Sequence, residues 1–134
     1  MSLRTSFQKL IRRDSDLASA TMDELQTVRD VAERIGSVAY VHAWGPRCRD
    51  RMHPSGAPDY NVAGKLVQSI GDALTEVESA AEKEAQRRTP TDRDDRETRL
   101  SMLAVTTIDN GDPDETEAFA RELLAHAEAE RWGR

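Results

Sequence analysis

Apolar residues recur every three or four positions along most of this chain, which is the spacing that places them on one side of an α-helix. The first such segment covers residues 3–13. Its basic residues fall outside the apolar side, which is formed by Leu3, Phe7, Leu10 and Ile11. The segment therefore predicts a short amphipathic helix with a basic outer surface.

Two longer helices are predicted in the middle of the chain. The sequence TMDE at 21–24 is a capping box, in which the Thr21 hydroxyl and the Glu24 carboxylate each accept the backbone N–H of the other residue. A helix should run from there to about Trp44, where Gly-Pro at 45–46 stops it. Its predicted inward stripe is Leu25, Val28, Ala32, Ile35, Ala39 and His42. A third helix should begin with an N-cap at Asp59 and end near Arg88, with the inward stripe Ala63, Leu66, Val67, Ile70, Leu74, Val77 and Ala81.

The last third of the chain predicts two helices joined by a tight turn. The sequence TPTD at 89–92 marks the start of the fourth helix, with Pro90 at its first position, and this helix should bury Leu100, Leu103, Ala104, Thr107 and Ile108. Asn-Gly at 110–111 forms the turn. The sequence DPDE at 112–115 caps the fifth helix, whose predicted inward residues are Phe119, Ala120, Leu123, Leu124 and Ala127. Because the connection is short, the two helices should form an antiparallel hairpin.

The fold class predicted from these elements is all-α. No segment of useful length shows the two-residue alternation of a strand, and residues 45–58 are predicted to be a loop rich in Pro, Gly and Arg. A chain of 134 residues has the usual size of one domain. We therefore predict a single helical domain over residues 1–134, a compact bundle of about five helices with a C-terminal antiparallel helical hairpin.

Composition favours a cytoplasmic protein. A single cysteine cannot form an internal disulfide, which fits a reducing compartment. No apolar run approaches the roughly 20 residues of a membrane span, and the first ten residues lack the apolar core of a signal peptide. We therefore expect no membrane partner. Arginine outnumbers lysine and alanine is frequent, as in proteins from GC-rich bacterial genomes, so the arginine excess alone says little about function.

Charge is distributed unevenly along the chain. The net charge of −6 argues against nonspecific binding to nucleic acid. Residues 1–13 nevertheless carry four basic and no acidic residues, and they form a basic N-terminal arm. Residues 66–134 carry nine basic and 17 acidic residues. Many acids precede a base by four positions, for example Glu84 before Arg88 and Asp95 before Arg99, which predicts salt bridges on exposed helix surfaces.

The segment from residue 44 to residue 60, called here the Arg-rich loop, is the best candidate for a binding site. Its predicted binding residues are Trp44, Arg47, Arg49, Arg51, His53 and Tyr60. The basic side chains suit carboxylates or phosphates, because arginine donates charge-assisted hydrogen bonds to both. Tryptophan, tyrosine and arginine are also common anchors of protein interfaces. A purely structural role is the alternative, with Trp44 covering the helix end and Asp50 neutralising one arginine.

Catalytic and metal-binding alternatives fit the spacing of the residues less well. Zinc ligands would have to come from His42, Cys48, His53 and His126, a set that matches no familiar zinc module. A nucleophilic Cys48 would need a positioned base, for which His53 is the candidate. The sequence DNGDPDE at 109–115 misplaces the glycine of a calcium loop. Glu78 and Glu82 only approach the paired carboxylates of a magnesium-dependent helical hydrolase. We therefore expect no cofactor and no metal.

These observations predict a small non-catalytic helical protein that binds or regulates a partner protein through the Arg-rich loop. Two alternatives stay open. The first is a nucleic-acid-associated protein that uses the same loop together with the basic N-terminal arm. The second is a small metal-dependent helical hydrolase. A homodimer through the third helix is a further expectation, because a helix of about 28 residues is longer than a chain of this size easily covers.

Overall fold

The computed structural model describes residues 14–52 and 58–133. Its helices are α1 (Asp14–Ser19), α2 (Met22–Ala43), α3 (Val62–Arg87), α4 (Arg93–Asn110) and α5 (Pro113–Trp132). A 3-10 turn at Pro46–Cys48 and two short strands, β1 (Arg49–Met52) and β2 (Pro58–Tyr60), connect α2 to α3. The all-α class and the C-terminal helical hairpin are therefore confirmed.

Side-chain caps fix several helix ends where the sequence predicts them. The Thr21 hydroxyl accepts from the Glu24 N–H at 3.1 Å, and the Glu24 carboxylate accepts from the Thr21 N–H at 3.2 Å. Before α5, the Asp112 carboxylate accepts from two N–H groups of the first turn, at 2.9 and 3.1 Å. Gly111 has a φ of +66°, in the left-handed region that favours glycine, and so ends α4. The capping box and the turn before α5 are both confirmed.

The starts of α3 and α4 differ from their predicted positions by a few residues. Asn61, and not Asp59, is the N-cap of α3, and its side chain accepts from the Gly64 N–H at 2.9 Å. Asp59 pairs in β2 instead, where its backbone is extended. The N-cap of α4 is Asp92, so Pro90 precedes the helix. In both cases two capping residues lie close together in the sequence, and propensity alone does not choose between them.

The Arg-rich loop contains a small sheet that the sequence analysis did not predict. Strands β1 and β2 are antiparallel, with Arg49 opposite Tyr60 and Met52 opposite Pro58. The register shifts between Arg49 and Arg51, which interrupts the alternation of the strand. The prediction of a loop without strands at 45–58 is therefore wrong at its ends, because strands of four and three residues are too short to show a period of two.

The N-terminal helix predicted over residues 3–13 lies outside the described residues. Helix α1, which follows that range, was not predicted. It is anchored by the Arg88 guanidinium at the end of α3, which donates to the carbonyl groups of Leu17 at 2.7 Å and Ala18 at 3.0 Å, and also to that of Ala20. Arg88 therefore ties the last residues before α2 to the end of α3.

The antiparallel pair α2 and α3 is the centre of the fold. Glycine is required at one point of their contact, since a Cβ added to Gly71 would lie only 2.7 Å from the Cε1 atom of the Tyr40 ring. Ala81 and Ala85 are fully buried in the same pair. Helix α4 closes one end of the pair, where the main cluster of buried side chains consists of Met22, Leu25, Ala81, Ala85 and Met102.

The apolar stripes predicted to point inward are only partly buried. Leu25 and Leu74 are buried, but Ile35 is 50% exposed and Ile108 is 66% exposed. All five residues predicted to point inward from α5 are at least partly exposed. The prediction is wrong for these positions because each stripe is wider than the surface covered by its neighbouring helix. None of the helices in the described ranges is long and apolar enough to cross a membrane.

Candidate interaction surface

The described residues of the Arg-rich loop lie at the end of the α2–α3 pair. Trp44 is the C-cap of α2, and its side chain is 63% exposed. Arg47 is exposed in the 3-10 turn, whereas Arg49 and Tyr60 are half-buried in the small sheet. For two further predicted residues, the side chain of Arg51 and all of His53 lie outside the described residues. The structure thus brings Trp44 and Arg47 to one exposed end of the molecule.

The turn that carries Arg47 is fixed to the first turn of α3. The Asn61 side chain donates to the Arg47 carbonyl at 2.8 Å, and the Asn61 N–H donates to the Cys48 carbonyl at 3.0 Å. Gly64 makes this contact feasible, since a Cβ there would lie only 2.2 Å from the Cys48 carbonyl oxygen. Asn61 and Gly64 are therefore positioning residues that sequence reasoning missed. The available signal was an Asn three residues before a Gly, the spacing at which the Asn61 side chain caps the Gly64 N–H.

The chemistry considered for the Arg-rich loop is not assembled by the described residues. Cys48 is a free thiol only 6% exposed, and it faces the packed side of the turn. His42 is exposed on α2, while His126 lies on α5. Within residues 14–52 and 58–133, no three His, Cys, Asp or Glu side chains are close enough to hold a metal ion.

The carboxylates considered for a magnesium site take part in a structural network. The buried Glu82 carboxylate accepts from the Arg29 guanidinium at 3.2 Å and from the Thr106 hydroxyl at 2.9 Å. This network joins α2, α3 and α4. Burial raises the pKa of Glu78, and the neighbouring charges of Glu82 and Glu33 raise it further. Glu82 therefore has its partners within the protein, and its role is to hold three helices together.

A cleft of about 380 Å³ lies where α3, α4 and α5 meet, and its lining includes Arg88, Arg96, Arg99, Glu122 and His126. Arg99 is fully engaged, because it donates to Glu122 and to two carbonyl groups of α3. The Nε of Arg96 and the Nδ1 of His126 are buried without a hydrogen-bond partner. Protein atoms cover both nitrogens, so an anion in the cleft would not reach them. The cleft is therefore a place where helices pack together and leave two buried nitrogens without hydrogen bonds.

The α2–α3 pair has two sides, which the contacts between the helices define. Gly36 faces Gly71, since a Cβ on Gly36 would lie 3.7 Å from the Gly71 carbonyl oxygen. On one side of this contact line, the Tyr40 hydroxyl donates to the Asp72 carboxylate at 2.7 Å. That side is polar, and the Thr75 hydroxyl is also within hydrogen-bond distance of the Tyr40 hydroxyl, at 3.2 Å.

The other side of the pair is apolar and exposed. Successive helical residues are rotated by about 100°. Ile35 is therefore displaced from Gly36, and Ile70 from Gly71, by the same angle and in the direction away from the polar side. Neighbouring turns carry further aliphatic residues on this side. It is called here the apolar face, and its members are Val31 (47% exposed), Ile35 (50%), Val38 (58%), Leu66 (42%) and Ile70 (44%).

Comparison of the chain with known protein families, curated proteins and solved structures finds no match.

The apolar face is the feature that the sequence analysis missed, since Ile35, Leu66 and Ile70 were assigned to the core and Val31 and Val38 to no stripe. A usable signal was present. Val31 and Val38 are seven residues apart, which indicates a second apolar stripe beside the one that faces α3.

Proposed function

We propose that this protein binds a protein partner through the apolar face of α2 and α3, with Trp44 and Arg47 contributing at one end. The observation that carries the proposal is the exposure of five large aliphatic side chains on one side of a rigid helix pair. Contiguous exposed apolar surface on a helical protein is typical of an interaction site. The partner chemistry that fits is an amphipathic helical surface with its own apolar stripe.

The size of the apolar face sets how much binding energy it can contribute. Full burial of a Val, Leu or Ile side chain is worth about 1.5–3 kcal/mol. Five such side chains that are 42–58% exposed therefore offer roughly 4–8 kcal/mol. A micromolar complex needs about 8 kcal/mol after the costs of association. Because association itself costs about 4–15 kcal/mol in addition, the apolar face supplies only part of the energy needed, and the complex requires a further anchor.

Trp44 and Arg47 provide that anchor at the end of the pair. An exposed tryptophan is a frequent hot spot of binding energy when a partner covers it. Arg47, held by the turn that Asn61 fixes, can donate charge-assisted hydrogen bonds to a partner carboxylate at the rim. In this proposal the Arg-rich loop keeps the binding role predicted from the sequence, at the end of the helix pair that carries the apolar face.

A quantitative capture experiment tests the proposal. Tagged wild-type protein is compared with Ile35→Lys/Ile70→Lys, after nuclease treatment, in lysate from the source organism. The matched control is Val105→Lys/Ile108→Lys, which changes two somewhat more exposed aliphatic residues of α4. A partner retained by wild type and control but lost by the apolar-face variant supports the proposal. Partners that the nuclease removes, or that all three proteins retain equally, contradict it.

A further inference from the structure

We infer that the cleft between α3, α4 and α5 binds a phosphate monoester of a small organic molecule, which Arg96 and His126 hold from two different helices. Arg96 lies on α4 and His126 on α5, and the segment between α3 and α4 contributes Thr89 to the lining. The lining shares no residue with the apolar face, so this site is independent of the proposed protein interface. A ligand held by these side chains joins three separate segments of the chain.

Positive charge is concentrated in this cleft, although the chain as a whole has a net charge of −6. The lining contains three arginines, one histidine and a single carboxylate, that of Glu122. The neighbouring cleft of about 480 Å³ is lined by two arginines and two aspartates, so its charges balance. Several cations around one concave surface attract an anion, because their fields add there.

Two of the three arginines are already used by the protein. The Arg88 guanidinium donates to Glu84 at 2.9 Å and to three carbonyl groups that precede α2. Arg99 donates to Glu122 and to two carbonyl groups of α3. Arg96 differs from both, because its side chain forms no ion pair and no hydrogen bond with any described residue. Its charge is therefore available to a ligand.

The atoms that a ligand can reach are the outer nitrogens of Arg96 and His126. Only the Nε of Arg96 and the Nδ1 of His126 are covered by protein atoms. The two Nη groups of Arg96 and the Nε2 of His126 are not covered, and no described residue pairs with them. With Nδ1 covered and unpaired, a proton on Nε2 avoids burying an unpaired donor, so Nε2 donates outward. The hydroxyl of Thr89, an exposed residue, adds a further donor.

Donors from three residues suit a phosphate group better than a carboxylate. A bidentate pair with the Arg96 guanidinium engages both oxygens of a carboxylate. A phosphate monoester has three terminal oxygens, so one remains for His126 and Thr89. The cleft therefore matches the larger number of oxygens.

The size and the remaining lining of the cleft suit an organic group on that phosphate. The volume of about 380 Å³ lies within the range of about 300–1,000 Å³ that is usual for small-molecule sites. Pro90, Ala125 and Ala129 supply apolar surface beside the donors. Small-molecule sites commonly combine such apolar lining with a few polar groups that orient the ligand.

Binding should also fasten α5 to the rest of the molecule. Helix α5 has no buried residue among those described, and ion pairs connect it to α4. A ligand that needs Arg96 and His126 together binds only while α5 is in place. Bound ligand therefore opposes the opening of α5 by mass action.

An NMR titration of the isotope-labelled full chain with phenyl phosphate tests the inference on the wild-type protein. The backbone amide signals of Thr89, Arg96 and His126 should shift along one saturating curve, whereas that of Val38 in α2 should stay in place. Shifts that never saturate, or that are largest at basic residues outside the cleft, would overturn the inference, because they indicate nonspecific attraction of an anion.

Two variants and a matched control assign the binding atoms. Arg96→Met should raise the Kd for phenyl phosphate about tenfold or more, because it removes hydrogen bonds to a charged group, and His126→Gln should raise it about two- to tenfold. Arg121→Met removes the same charge from an exposed position of α5 and should change the Kd less than about twofold. Circular dichroism shows whether each variant keeps its helices. A folded Arg96→Met variant that binds like wild type would overturn the inference.

Two further probes separate the classes of ligand with the wild-type protein alone. Phenylacetate carries a carboxylate on the same ring and should bind about tenfold more weakly than phenyl phosphate, since it offers fewer charged oxygens. Equal binding would overturn the assignment to a phosphate. Inorganic phosphate has no organic group and should also bind about tenfold more weakly, because it buries no apolar surface. Equal binding of this ion would overturn the assignment to a monoester.

Hydrogen exchange tests the effect of binding on α5. With phenyl phosphate at ten times its Kd, exchange of the α5 amides should slow about tenfold, while exchange in α2 should not change. Unchanged exchange in α5 at this ligand concentration would show that the ligand does not need α5, and the site formed jointly by Arg96 and His126 would be excluded.

Discussion

The two helical hairpins of this protein, α2–α3 and α4–α5, are held together by different interactions. In the first, glycine and alanine let the backbones approach closely, and Ala81 and Ala85 are fully buried. In the second, α5 has no buried residue among those described. Its attachments to α4 are ion pairs, from Arg93 to Glu130 and from Arg99 to Glu122.

This difference separates a rigid part of the molecule from a weakly attached one. Close apolar packing is insensitive to salt, whereas partly exposed ion pairs weaken as salt screens them. The second hairpin also contains the cleft in which Arg96 and His126 each leave a buried nitrogen unpaired. Such a group costs about 1–3 kcal/mol. Helix α5 should therefore open before the α2–α3 pair does, whereas α4 is held to that pair by the buried Met102.

The largest expected effect comes from truncating a buried leucine of the first hairpin. Leu25→Ala removes a fully buried side chain from the main cluster and should lower the free energy of unfolding by about 2–5 kcal/mol. Leu123→Ala in α5 makes the same chemical change at a position that is 47% exposed, and should cost less than about 1 kcal/mol. Urea unfolding followed by circular dichroism measures both. Equal losses would mean that the two hairpins are packed alike.

Two glycines of the first hairpin test how closely it is packed. A Cβ on Gly71 would lie 2.7 Å from the Cε1 atom of Tyr40, whose ring is held by its hydrogen bond to Asp72. Gly71→Ala should therefore destabilise the protein by about 1–3 kcal/mol. Gly36→Ala meets only ordinary contact distances and should stabilise the helix by up to about 1 kcal/mol. Thermal unfolding should show a lower Tm for Gly71→Ala and a higher Tm for Gly36→Ala. Shifts of the same sign in both variants would contradict the packing described.

The attachment of the second hairpin is tested at Arg99. Arg99→Met keeps the aliphatic stem but removes the hydrogen bonds to Glu122 and to the carbonyl groups of Ala85 and Gln86. We expect a loss of about 1–3 kcal/mol. Hydrogen exchange should accelerate in α5 and remain slow in α2. Arg121→Met is the control, because its pair with Glu117 is exposed and should be worth less than about 0.5 kcal/mol.

The smallest expected effect concerns the pKa of Glu78. Burial, followed by the charges of Glu82 and Glu33, raises this pKa above 4.5 in the folded protein. The charged form is thus disfavoured by folding, and the resulting destabilisation is present above the raised pKa and disappears as the pH falls through it. Glu78→Gln should therefore stabilise the protein at neutral pH by less than about 0.5 kcal/mol, and the gain should vanish in acid. An equal gain in stability at neutral and at acid pH would mean that the raised pKa of Glu78 is not its cause.

Helix type and several helix ends follow from local sequence. The capping box at Thr21 and the left-handed Gly111 each depend on residues within one turn, so their positions are readable without tertiary structure. The contacts of Arg99 cannot be read from the local sequence in this way. The sequence predicts a pair with Asp95 four positions earlier, but Arg99 instead reaches Glu122 and α3, because a partly buried guanidinium has better partners on neighbouring helices.

The candidate site was harder to predict than the fold. An apolar stripe shows that a helix has a buried side, but it does not show which neighbour covers that side. Ile35 and Ile70 both belong to predicted inward stripes, yet each remains about half exposed. The anchoring of Arg47 by Asn61 depends on a contact across 14 residues of a loop with short strands. Both facts follow from how segments distant in the sequence come together, which periodicity does not record.

The placement of the two tryptophans has a spectroscopic consequence. Trp44 is 63% exposed at the end of α2, and Trp132 is 82% exposed in the last turn of α5. Both indoles should emit at long wavelength in the folded protein, so unfolding changes their fluorescence little. Burial of Trp44 against a partner shifts its emission to shorter wavelength, while Trp132 serves as an internal reference. Fluorescence of this protein should thus report association much better than it reports unfolding.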